Sequence, residues 1–130
     1  KIKNEKNYNV ILLESKSNIV KAFENIDILL LTSVYGEGCP NIIIEAMKSN
    51  ILVISTDVGD SKYLINNNRL MIPKNNSSIS SLKILEVLNS KDLTKLIRNC
   101  KKRADYLFDE KKMVEKYENL WTSIFLQPNI

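Results

Sequence analysis

DILLLTSVYGEGCPNIIIEAMKSNILVIST, residues 27–56, holds two apolar runs separated by about the length of one helix. Residues 27–33 (DILLLTS) are too few for an ordinary helix, and residues 51–56 (ILVIST) match them. Neither run alternates with polar residues, so each reads as a strand covered on both faces. Between them Pro40 can open a helix at its first position, where its missing N–H costs nothing, and that helix runs to about Ser49. Strand, helix, strand in this form predicts a parallel sheet under helices, an α/β fold.

The pattern extends in both directions. Residues 9–13 (NVILL) suit another buried strand, and residues 17–25 have helical spacing at Ile19, Ala22 and Phe23. Downstream, Asp57-Val58-Gly59-Asp60 leads to a short helix over 61–65 and a small strand over 70–72, ended by Pro73. Strands then stop. Residues 80–88, 91–107 and 111–125 read as helices, the last with Met113, Val114, Tyr117, Leu120, Trp121, Ile124 and Phe125 along one stripe. The expectation is one domain over 1–130, with a Rossmann-like parallel sheet and flanking helices over about 9–73 and an all-helical segment over about 77–126. A doubly wound domain normally opens on a strand and a Gly-rich or basic loop. Here the first residues are KIKNEKNY, so the sheet reads as incomplete at its beginning.

Composition narrows the chemistry. With 130 residues and 44% hydrophobic content, the chain can bury the core of one domain. Its net charge of +4 comes from 19 basic and 15 acidic residues mixed along the sequence, which does not indicate nucleic acid. Histidine is absent, which removes Ser-His-Asp and Cys-His catalysis and His-ligated zinc. Cys39 and Cys100 are isolated in a sequence without a secretory leader, so the expectation is reduced thiols in a cytoplasmic protein. No apolar run reaches the roughly 18 residues of a membrane-spanning helix. The Lys, Asn and Ile bias is even along the chain and reads as compositional habit.

In a parallel α/β sheet, ligands sit beyond the carboxyl ends of strands. The loop after Ser33 is such a place, with Tyr35, Gly36, Glu37, Gly38 and Cys39 before Pro40 and Asn41. Gly36 and Gly38 let backbone approach a ligand closely, and the helix start offers unpaired N–H groups and partial positive charge to a phosphate. Glu45 is set among Ile42, Ile43, Ile44 and Met47, poor company for an unpaired charge, so it either faces outward or serves a site. Helical side chains lean toward the N-terminus, which aims Glu45 at the same end as those N–H groups. A carboxylate there suits the vicinal hydroxyls of a sugar. Glu37 can reach the next part of the same ligand.

Ser33, Glu37, Gly38, Pro40, Asn41, Glu45, Ala46 and Met47, as S-x-x-x-E-G-x-P-N-x-x-x-E-A-M, resemble the motif of the retaining GT-B glycosyltransferases of family 4, also called glycosyl transferases group 1. The resemblance spans about residues 9–125 and implies the downstream part of the C-terminal nucleotide-sugar-binding domain. It implies Glu45 on the ribose hydroxyls, Gly36, Gly38, Cys39, Pro40 and Asn41 around the donor sugar and pyrophosphate, and Glu37 in the catalytic position against the donor sugar. It also implies metal-independent hexosyl transfer without a cofactor, to a glycan or lipid-linked acceptor in polysaccharide biosynthesis. Location would be cytoplasmic, at the inner membrane face where the full enzyme associates peripherally. The family's phosphate-binding Arg and Lys fall upstream of Lys1, and its acceptor groups come largely from an N-terminal GT-B domain, so this chain alone is expected to be an inactive fragment. Tyr63 stands where the family often has Glu.

Plainer readings stand beside these. Glu45 and Glu37 can be solvated carboxylates, Gly59 can merely shape a turn, and Cys39 lacks a neighbouring base and reads as an inert thiol. Lys101-Lys102-Arg103 and Lys111-Lys112 alternate with acidic residues in the manner of a solvated helix face. Trp121, Ile124 and Phe125 read as packing rather than a sugar platform, and the resemblance implies that they pack on the partner domain and are left exposed here. The alternative to an enzyme is a non-catalytic nucleotide-sugar-binding or protein-interaction module. A receiver-type phosphoacceptor domain is disfavoured, because Asp27 stands alone without an acidic pocket.

Overall fold

The computed structural model describes residues 19–126, and the expected strand over 9–13 lies outside them. Among the described residues the order is α1 (Ile19–Phe23), β1 (Ile28–Leu31), α2 (Asn41–Lys48), β2 (Leu52–Thr56), α3 (Ser61–Ile65), a 3-10 turn (Asn68–Leu70), β3 (Met71–Ile72), α4 (Ser77–Leu88), α5 (Leu93–Leu107) and α6 (Glu110–Phe125). The strands form one parallel sheet in the order β1-β2-β3. Leu31 pairs with Ser55, and Thr56 with Ile72, so the carboxyl ends of the strands lie side by side. This is the expected α/β, Rossmann-like arrangement.

Among the described residues β2 lies between the other two strands and is buried along its whole length, whereas Leu30 on β1 is 46% exposed. Helix α2 buries Ile43, Ala46 and Met47, and α5, which buries Leu96, Cys100 and Ala104, packs on α2, α3 and β2. The small Cys100 and Ala104 side chains, four residues apart on the buried stripe of α5, allow close helix approach. Leu64 and Ile65 of α3, Leu70, Met71 and Ile72 complete the same core. Helix α4 packs on β3 and the 3-10 turn.

Pro40 does not occupy the first helical position. Its ψ of 100° is extended, and the helix begins at Asn41. At the other end of α2, Asn50 holds a φ of 60°, and the N–H groups of Asn50 and Ile51 return to the carbonyls of Met47 (3.2 Å) and Ala46 (3.0 Å). This Schellman closure turns the chain into β2. Helix α4 starts at Ser77, three residues before the sequence expectation, because Asn76 Oδ1 accepts from Ile79 N–H at 3.0 Å. The expectation that Lys101-Lys102-Arg103 forms a solvated face holds for exposed Lys102 and needs correction for Lys101 and Arg103. Lys101 Nζ donates to Lys48 O (3.0 Å) at the end of α2, while Arg103 donates to Leu64 O (2.9 Å) and Tyr63 O (2.6 Å) in α3. These cations meet the carbonyl ends of two helices, where charge and dipole agree. Tyr63 lies under the same guanidinium, 5.3 Å from ring centroid to Cζ.

Candidate functional site

Residues 32–40 run from the carboxyl end of β1 to the start of α2, and the turn 57–60 after β2 lies beside them. Thr56, buried at the end of β2, donates its hydroxyl to Ser33 O at 2.6 Å. Asp60 N–H donates to Gly38 O at 2.8 Å. Both ends of the loop are thus tied to the next strand and its turn. The second tie needs glycine at position 59, where φ is +53° and a Cβ would stand 2.1 Å from Gly38 O and 2.5 Å from Glu37 O. Gly59 therefore does more than shape a turn: it admits the loop that carries Glu37.

Within the loop, Ser33 Oγ donates to Glu37 Oε1 at 2.6 Å, and Glu37 is half-buried. Gly36 has a φ of +86°, a conformation that L side chains disfavour. Gly38 is different. Its φ is not in the left-handed region, and a Cβ there would meet no described atom within 4 Å. Neither conformation nor internal packing calls for glycine at 38, and the space before its backbone is open. Cys39 is an exposed free thiol, Asn41 is exposed, and Pro40 is buried.

At the start of α2, Ile43 N–H returns to Pro40 O at 3.0 Å, while the N–H groups ahead of it have no intrahelical acceptor. Glu45, one turn further on, is exposed, its neighbours Ala46 and Met47 being the buried ones. Its carboxylate is therefore outside the apolar core, on the solvent side of α2. Among the described residues neither Glu37 nor Glu45 has a cation within 4.0 Å. No group of three His, Cys, Asp or Glu among them could hold a metal ion, and no helix among them is long and apolar enough to cross a membrane.

The structure thus gathers Gly36, Glu37, Gly38, Cys39, Pro40, Asn41 and Glu45 on one loop-helix segment at the carboxyl end of the sheet. Sequence reasoning missed Thr56 and the closeness of Gly59. The four-residue spacing of Ser33 and Glu37 was visible, but their hydrogen bond depends on how the loop folds back.

Comparison with known proteins adds three findings. The family model described as "Glycosyl transferases group 1" matches residues 1–105. No curated protein matches the chain. A crystal structure of a glycosyltransferase from Rickettsia africae ESF-5 is similar in fold, with a TM-score of 0.75 at 24% identity over 87% of this chain. The similarity covers 31% of that structure's chain, so the sequence spans about a third of its length.

Proposed function

Because the chain belongs to the glycosyl transferases of group 1, we propose that it is the donor-binding part of a retaining, metal-independent GT-B glycosyltransferase that takes a nucleotide sugar. The observation that carries this reading is the open backbone at Gly38, between a held Glu37 and the start of α2. Exposed Glu45 accepts two ribose hydroxyls, since an ionised carboxylate offers lone pairs on both oxygens. The pyrophosphate lies against the free N–H groups of the helix start and its partial positive charge. Glu37 faces the donor sugar, where a carboxylate stabilises positive charge that develops as the glycosidic bond to phosphate breaks. The acceptor is a glycan or lipid-linked sugar, met in the cytoplasm or at its membrane face.

Calorimetric titration of nucleoside diphosphates and nucleotide sugars, into this chain and into a longer protein that carries it, tests the reading. Glu45→Ala weakens nucleoside diphosphate binding roughly ten- to a hundredfold, the range for losing hydrogen bonds to a charged group. Glu37→Ala leaves that affinity nearly unchanged and lowers the rate of transfer. No binding by either wild-type protein sinks the proposal, and equal effects of the two substitutions sink the division of roles.

A second reading, a non-catalytic interaction module, draws on α6. Its apolar side chains are all exposed, including Tyr117, Trp121 and Phe125, with the Trp121 and Phe125 rings stacked 6.1 Å apart. Partner capture that needs Trp121 and ignores nucleotide sugars favours it.

A further inference from the structure

We propose that Ser33 is a positioning residue, which sets the Glu37 carboxylate for the donor sugar before any ligand arrives, and that Thr56 holds Ser33 in place. The proposal rests on the functional reading above and extends it to residues outside the ligand's own contacts.

A glutamate in a surface loop samples several rotamers, and ordering it on ligand binding costs side-chain entropy. Here the ordering is done by the fold. Ser33 has one hydroxyl hydrogen, and Glu37 Oε1 receives it at 2.6 Å. An ionised carboxylate can only accept, so the direction of this bond is fixed. One hydroxyl satisfies one lone pair, and Oε2 is left for the donor. The serine is itself oriented from behind. Its carbonyl accepts from Thr56 Oγ1 at 2.6 Å, and Thr56 is 2% exposed in the last position of β2. Parallel pairing of Leu31 with Ser55 brings Thr56 to the point where the chain leaves β1. The far end of the loop is held by Asp60 N–H on Gly38 O, with Gly59 leaving no room for a side chain. Glu37 therefore sits between two anchors on the β2 side, and its side chain is tied to the first. Such support by neighbouring hydrogen bonds keeps a reacting group within tolerance of its productive geometry.

The test compares wild type, Ser33→Ala, Ser33→Thr, Thr56→Val and the double variant Ser33→Ala/Thr56→Val, in the complete open reading frame that carries these residues. Ser33→Ala lowers kcat roughly ten- to a hundredfold. It changes KM and the Kd for nucleoside diphosphate by less than about threefold, because ribose and phosphate contacts are untouched. Ser33→Thr restores most of kcat, and the double variant loses little more than either single one, as members of one chain should. Ligand-free crystal structures give a readout that needs no activity. Wild type shows Glu37 on Ser33, whereas Ser33→Ala shows its carboxylate spread over several rotamers. The proposal is overturned if Glu37 keeps its rotamer without the serine hydroxyl, or points away from Ser33 in wild type. It is also overturned if kcat, nucleoside diphosphate affinity and Tm fall together in Ser33→Ala, which marks a merely structural bond. Failure of wild type to bind any nucleotide strikes the functional reading instead, while the rotamer comparison still judges the role of Ser33.

Discussion

A side chain at position 59 would drive its Cβ to 2.1 Å from Gly38 O, with a backbone φ of +53° that most residues avoid. We expect Gly59→Ala to destabilise the fold by about 1–3 kcal/mol, the usual scale for forced left-handed backbone with a steric clash, read from urea unfolding. Gly38→Ala is the contrast. Its Cβ would enter open space, so stability should hold within about 0.5 kcal/mol while donor-sugar affinity falls. If Gly38→Ala binds the donor as wild type does, the backbone at 38 does not approach the ligand. Asparagine gained meaning at this scale as well. Asn50, Asn66 and Asn75 all hold positive φ, and Asn67 and Asn76 accept from Arg69 N–H and Ile79 N–H. An even compositional bias hid these roles, because only the local backbone shows which of many asparagines sits at a turn.

At the scale of elements, helix ends are held from a distance as much as by their own caps. Arg103 reaches from α5 to Leu64 O and Tyr63 O of α3, so Arg103→Ala should cost about 1–2 kcal/mol in unfolding free energy. Arg103→Lys should recover only part of that, since a single ammonium cannot reproduce the planar fork. Arg69 ties the 3-10 turn to the connection between α4 and α5 through Asp92, with Nη1 to Oδ2 at 2.9 Å and Ser90 also bonded to that carboxyl. The hydrogen bond from Arg69, then that from Ser90, lowers the Asp92 carboxyl to about 2. A carboxyl lowered in the fold contributes stability above its unfolded value of about 3.9 and loses it as pH falls through about 2. Urea unfolding followed by circular dichroism at a series of pH values should therefore find wild type more stable than Asp92→Asn between pH 4 and 7, with the two unfolding free energies converging near pH 2. Curves that coincide throughout refute the contribution of this ion pair.

Across the whole molecule, burial divides the two thiols and the two kinds of apolar helix. Cys100 is buried and its thiol is pushed up by burial, with Arg103 opposing, whereas Cys39 is exposed beside the candidate site. A thiol reagent should label Cys39 alone in the native protein and both residues after denaturation, and nucleotide sugar should slow labelling of Cys39. Apolar residues show the same divide. Ile43→Ala, at 0% exposure, should cost about 2–5 kcal/mol. Leu120→Ala, at 54% exposure on α6, should cost this chain less than about 0.5 kcal/mol.

Much of this was legible in the residues themselves. Two uninterrupted apolar runs around residues 40–49 pointed to parallel strands joined by a helix, although the expected burial on both faces holds for β2 and not for β1, where Leu30 is exposed. The spacing of Glu37, Gly38, Pro40, Asn41 and Glu45 marked the loop and the family. What only the tertiary structure decided is how that loop is held. The bond from Thr56 to Ser33 spans 23 residues of chain, and that from Asp60 to Gly38 spans about as many, with α2 and β2 between its ends. The helix clamps from Lys101 and Arg103 span 53 and about 40 residues. Local periodicity reports which face of an element is apolar, but it carries no record of which distant carbonyl a hydroxyl or guanidinium will meet. Those partners are chosen by strand register and helix packing, and they turn a recognisable string of residues into a shaped site.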